Sequence, residues 1–163
     1  MRAGAQQTIL FMITFGLRKS KMSEQLPEAL HKQISSLCAE GDRLARDGQL
    51  DLAKGTYVQA LKLLPQDHRR WEAATWIYVA IGDVHFRLGN FDKALMAFIN
   101  AVQCPGGLGN PFVHLRLGQS YYEDGNLEKA ADELTRAYMG GGMGIFLEDD
   151  PKYLAFLETK IEI

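Results

Sequence analysis

The chain has 163 residues, 47% hydrophobic and 23% charged, with 18 basic against 20 acidic side chains. This is the composition of one ordinary globular domain, and it excludes a collagen-like, low-complexity or disulfide-scaffolded chain. The formal charge of −2 becomes −6 once the first 21 residues are set aside, which argues against a nucleic acid partner, and Cys38 and Cys104 fit neither a closely spaced metal pattern nor a disulfide framework. A reducing cytosol is the default compartment.

The first 21 residues differ from the rest. TILFMITFGL, Thr8 to Leu17, is a ten-residue apolar run followed by Arg18, Lys19 and Lys21. The run is too short to span a bilayer, so no membrane partner is expected. A secretory signal puts its positive charge before the apolar run and small residues after it, whereas here most of the charge follows. Residues 1–21 are expected to be a non-native or disordered extension, with Met22 of MSEQLPEALHKQI as the natural start. Without it, 14 basic stand against 20 acidic side chains, a net charge of −6. A body of that sign is repelled by phosphate backbones and steers a basic protein toward itself.

From Gly41 onward the chain repeats itself. GDRLARDGQLDLAKGTYVQAL, GDVHFRLGNFDKALMAFINAV and GQSYYEDGNLEKAADELTRAY begin at Gly41, Gly82 and Gly118. Seven residues after each leading glycine comes another: Gly48, Gly89 and Gly125. Alanine recurs at Ala53, Ala94 and Ala130, then a large residue at Tyr57, Phe98 and Leu134, then alanine again at Ala60, Ala101 and Ala137. The pattern predicts two short antiparallel helices per unit. The leading glycine and the alanines let the helices approach closely, and the large residue fills the space between them. The second glycine suits a helix C-terminus, and the acid two or three residues later suits the start of the next helix.

In residue and spacing these units resemble the tetratricopeptide repeat, W-x2-L-G-x2-Y, A-x3-F, P within 34 residues. Repeats are placed at 34–67, 75–108 and 111–144. The first matches at Leu37, Gly41, Leu44, Ala53, Tyr57, Ala60 and Pro65; the second puts His85 where tyrosine is expected and Pro105 one place early; the third lacks the terminal proline. Seven extra residues between the first two leading glycines are placed in QDHRRWEAATW, expected to extend the following helix backward by one or two turns. Two more between the second and third are placed in the loop GGLGNP. MGGGMG, Met139 to Gly144, has no lysine with serine or threonine and no preceding strand, so it reads as a flexible hinge and not a phosphate loop. DDPKYLAFLETKIEI then supplies a capping helix at about 149–161, and PEALHKQISSL extends the first helix from Pro27. The expected fold is all-α, a short right-handed α-solenoid of three helix pairs with a C-terminal cap, making 22–163 a single domain.

The resemblance implies a concave groove lined by the first helix of each repeat. Its positions fall here on Asp42 and Arg46, on Trp76, Val79, Asp83, Phe86 and Arg87, and on Phe112, Leu115, Arg116, Gln119 and Tyr122. Trp76 and Phe86 are as well suited to packing between repeats as to contact. The co-chaperone branch of the family holds a C-terminal carboxylate with lysine, asparagine and arginine. The corresponding residues here are Cys38, Asp42, Ala80, Phe112 and Arg116, of which the last alone matches. A carboxylate clamp is therefore not expected. His31, His68, His85 and His114 share no metal-ligand spacing on one helix, and the acids Glu148, Asp149 and Asp150 read as a helix start. No catalysis, cofactor or metal is expected.

The expected function is that of a protein-binding module. GNPFVHLRLGQSYYEDGNLEKAADELTRAY with EDDPKYLAFL is similar to small bacterial tetratricopeptide proteins encoded near polymorphic toxins, which implies an immunity or accessory protein occupying a toxin domain, and the acidic body suits a basic one. Three repeats in a chain of this length also resemble the chaperones of type III translocators, and a scaffold subunit is a third possibility.

Overall fold

The computed structural model describes residues 26–163. Seven α-helices follow one another: α1 (Glu28–Arg46), α2 (Leu50–Leu63), α3 (Glu72–Arg87), α4 (Phe91–Val102), α5 (Pro111–Glu123), α6 (Leu127–Gly141) and α7 (Pro151–Glu158). Short 3-10 turns occupy His68–Arg70 and Met143–Phe146, and there is no strand among the described residues.

Three of the chain reversals are built alike. Gly48, Gly89 and Gly125 have φ of 76°, 75° and 82°, a left-handed conformation that a side chain disfavours. Each donates its N–H to the carbonyl three residues back, at 3.2, 3.0 and 3.1 Å. The next residue, Gln49, Asn90 or Asn126, donates to the carbonyl five back, at 2.9 Å in all three. These paired bonds satisfy carbonyls the helix end leaves open and turn the chain around within three residues. Other helix starts use side-chain caps. Asn110 accepts from the Phe112 N–H at 2.9 Å and Asp150 from the Lys152 N–H at 3.0 Å, in each case with proline at the first helical position.

Inside each pair the leading glycine faces the large residue of its partner helix. A Cβ on Gly41 would lie 2.5 Å from the Tyr57 ring, one on Gly82 2.7 Å from the Phe98 ring, and one on Gly118 2.6 Å from Leu134 Cγ. Ala53, Ala60, Ala94, Ala101, Ala130 and Ala137 flank these contacts and are fully buried. The result is backbone-close packing of α1 on α2, α3 on α4 and α5 on α6, with α2 packing on α3 and α4 on α5 to join successive pairs. Burying a side chain such as Phe98 contributes on the order of 2–3 kcal/mol. One apolar cluster runs through the first two pairs, and a second runs through the last two pairs into Phe146, Tyr153 and Leu157 of the C-terminal segment.

The extra residues between the first two repeats do not all go into a longer helix. α3 begins at Glu72, less than a turn before the repeat's expected start at 75. The rest form the 3-10 turn at His68–Arg70, entered through Asp67 at φ 65° and closed by buried Trp71. GGLGNP is the expected loop. The glycine run needs correction as a free hinge. α6 continues through Gly141, Gly142 breaks it at φ 67°, and Met143–Phe146 makes a turn that buries Phe146. The last helix, Pro151–Glu158, is shorter than the expected 149–161 because its C-terminal bonds close at Thr159. The extension expected over 1–21 lies outside the described residues.

Candidate functional site

The residues expected to line a groove lie on α1, α3 and α5, and the structure sorts them by exposure. Arg46 and Arg87 are exposed; Trp76, Phe86 and Tyr122 are half-buried. Asp42, Val79, Asp83, Phe112, Leu115, Arg116 and Gln119 are buried. These seven therefore turn to neighbouring helices and not to solvent, which corrects the expectation that all twelve could meet a partner directly.

Arg116 explains much of that burial. Only 3% exposed, it sits between two carboxylates, with Nε 3.3 Å from Asp83 Oδ1 on α3 and Nη1 3.1 Å from Asp149 Oδ1 in the C-terminal segment. Nη1 also donates to Gln119 Oε1 at 2.8 Å, and the guanidinium lies 5.1 Å from the Phe112 ring centroid. Burial works against the charged form of Arg116, but Asp83 and Asp149 together keep its pKa above the ordinary value. Burial also pushes the Asp83 carboxyl upward, against the pull of Arg116 and Arg87. This pairing ties the second repeat, the third repeat and the tail together. Its geometry suits the structure of the face more than the capture of a ligand, since the charge on Arg116 is already answered from both sides.

The corresponding acid of the first repeat is also occupied. Asp42 accepts the Tyr57 hydroxyl at 2.6 Å, and burial raises its carboxyl while that bond and Arg46 oppose the rise. In the third repeat, Glu123 accepts from the Tyr153 hydroxyl at 2.6 Å and pairs with Lys152 Nζ at 2.6 Å. Tyr122 meets Tyr153 and Phe156 edge to face, with ring centroids 5.6 and 5.1 Å away. The tail therefore covers the α5 end of the face. Asp149, Lys152 and Tyr153 are not singled out by sequence reasoning as part of it. The one available signal is spacing, because Asp83, Arg116 and Asp149 stand 33 residues apart in succession, near one repeat length.

The histidines and cysteines have structural surroundings. His114 is buried, with Nδ1 2.5 Å from Glu133 Oε2 and Nε2 2.6 Å from the Leu108 carbonyl, so it ties the loop before α5 to α6. His68 Nδ1 lies 3.3 Å from the Tyr78 hydroxyl. Cys38 and Cys104 are free and buried; burial pushes their thiols up to about 12 and about 11. Among the described residues no group of three or more His, Cys, Asp or Glu side chains could hold a metal ion, and no helix is long and apolar enough to cross a membrane.

A family model described as tetratricopeptide repeat matches residues 38–107 and again 79–144. No curated protein matches the chain.

Proposed function

The chain belongs to the tetratricopeptide repeat family, and from that premise we propose that its three helix pairs stack as a short right-handed solenoid that binds a segment of a partner protein, without catalysis, in the concave groove of α1, α3 and α5. Members of this family generally mediate protein–protein interaction. The observation that carries the reading here is the exposure pattern. Along the face, packed residues alternate with the half-buried aromatics Trp76 and Phe86 and the exposed Arg46 and Arg87, which is how an aromatic anchor site with a charged rim is composed. The tail closes the α5 end, so the open stretch of groove lies over α1 and α3.

The net charge favours a basic partner only through long-range attraction. A toxin domain bound by an immunity protein is one such partner, and a secreted substrate held by a chaperone is another. Both are finer versions of the same binding role.

The test is capture. The full chain, immobilised, is exposed to a lysate of its source beside Trp76→Ala and Phe86→Ala variants whose circular dichroism shows an intact fold. Loss of one dominant partner from both variants supports the groove. Equal retention by all three proteins moves the binding surface elsewhere on the molecule.

A further inference from the structure

We propose that Tyr122, Glu123 and Tyr153 form a seat for a lysine or arginine side chain of the bound partner, and that Lys152 fills this seat in the free protein as a tethered stand-in. The inference rests on the groove reading and adds the chemistry of the segment where the groove meets the tail.

The seat is built across two helices. Glu123 is the last residue of α5, and Tyr153 of α7 donates its hydroxyl to Glu123 Oε1 at 2.6 Å. Tyr153 meets the Tyr122 ring edge to face with centroids 5.6 Å apart, and Phe156 backs Tyr122 from 5.1 Å. Aromatic rings therefore border a carboxylate whose side chain is 20% exposed. A cation that reaches this carboxylate also lies against the rings, a combination that selects an ammonium or guanidinium over any neutral group.

Lys152 shows the fit. Its Nζ lies 2.6 Å from Glu123 Oε1, 5.1 Å from the Tyr153 centroid and 5.9 Å from the Tyr122 centroid. The hydrogen bond to Glu123 holds this ammonium above its ordinary pKa. By contrast, Lys129 over Tyr121 and Lys160 over Phe156 each meet one ring, at 5.3 Å.

Four features make Lys152 replaceable. Its side chain is 40% exposed, and an ion pair that open to water contributes little. It is the second residue of α7, where the helix dipole disfavours a positive charge, so the helix itself gains nothing from it. Asp150 Oδ2, 3.8 Å away, gives the displaced ammonium another carboxylate to turn to. The seat also stays in place without Lys152, because Tyr153 and Leu157 are buried and Asp149 is tied to Arg116. A partner's basic side chain thus exchanges one cation for another without loosening α7, and the acidic balance of the chain draws such segments in.

The test titrates Nα-acetyl-lysine methylamide, and its uncharged norleucine counterpart, into the full chain, Lys152→Met, and Lys152→Met/Glu123→Gln, with NMR following the rings of Tyr122, Tyr153 and Phe156. If Lys152 fills the seat in about nine molecules of ten, its removal raises the apparent affinity for the lysine amide about tenfold. Glu123→Gln should take that gain away, the norleucine amide should leave the ring signals unmoved, and Lys152→Met should melt as wild type does. Equal affinity in wild type and Lys152→Met, an equal response to norleucine, or a gain that survives Glu123→Gln overturns the seat. Unfolding of both Lys152→Met and Lys152→Gln also overturns it, since Lys152 would then be a structural pin. Capture with Trp76→Ala and Phe86→Ala reports on the groove separately. A partner lost from those variants while the lysine amide fails to bind leaves the groove standing and the seat refuted. A partner indifferent to them while the amide binds as expected refutes the groove and upholds the seat.

Discussion

Gly118→Ala tests the packing rule of the helix pairs most severely. The added methyl would meet Leu134 at Cγ 2.6 Å, Cδ2 2.7 Å and the backbone N 2.9 Å away. Leu134 is fully buried and its backbone belongs to α6, so no flexible end can swing aside. Because the clash reaches backbone, overpacking here belongs at the upper end of its range, about 2–3 kcal/mol, and alanine returns about 1 kcal/mol of helix propensity, leaving a net loss of roughly 1–2 kcal/mol. Gly55→Ala is the counterpart. Gly55 is exposed within α2 and an added Cβ meets nothing within 4 Å, so the same chemical change should stabilise by about 0.5–1 kcal/mol. Urea unfolding followed by circular dichroism measures both. A Gly118→Ala protein as stable as wild type, or a Gly55→Ala protein less stable, would refute the account of close approach.

Three further outcomes are expected. Arg116→Leu leaves Asp83 and Asp149 buried without their counter-charge and should lose about 3–5 kcal/mol, with faster amide exchange in α7; exchange confined to wild-type rates would show that the tail is held by other contacts. Asp42 has a folded-state pKa above its ordinary 3.8, so its contribution to stability is complete below that value and is lost as pH rises through the raised one. The advantage of wild type over Asp42→Asn should accordingly be greatest in acid and shrink upward from about pH 4, and a difference constant with pH would contradict the assignment. With their thiols buried and pushed up to about 12 and about 11, Cys38 and Cys104 should react with iodoacetamide at pH 8 only as fast as the chain opens; reaction at the rate of a free thiol would disprove their burial.

The helix pairs are legible in the sequence because each recurring residue does one physical job. Gly48, Gly89 and Gly125 are left-handed helix ends, and Gly41, Gly82 and Gly118 are the places where a partner side chain presses on backbone. A family register then indicates which face α1, α3 and α5 share. It does not tell which residues on that face remain open, because that depends on partners distant in sequence. Arg116 reads as a surface charge until Asp83 and Asp149 are seen on either side of it. The turns at His68–Arg70 and Met143–Phe146 escape sequence reasoning for a related reason. Their residues carry no period, and what holds them is the burial of Trp71 and Phe146 against the neighbouring helices.

The even step from Asp83 to Arg116 to Asp149 also acts as a ruler with a stop at its end. The tail offers Arg116 the same charge that Asp83 offers from the other side, so it takes the place of a next unit. It does so with a helix of eight residues whose exposed positions, Pro151, Lys152, Ala155 and Glu158, hold no large apolar side chain. Leu154 and Phe156, on the same helix, are half-buried and pack against the second apolar cluster. What closes the α5 end is therefore carried by the chain itself, one step of 33 residues past Arg116.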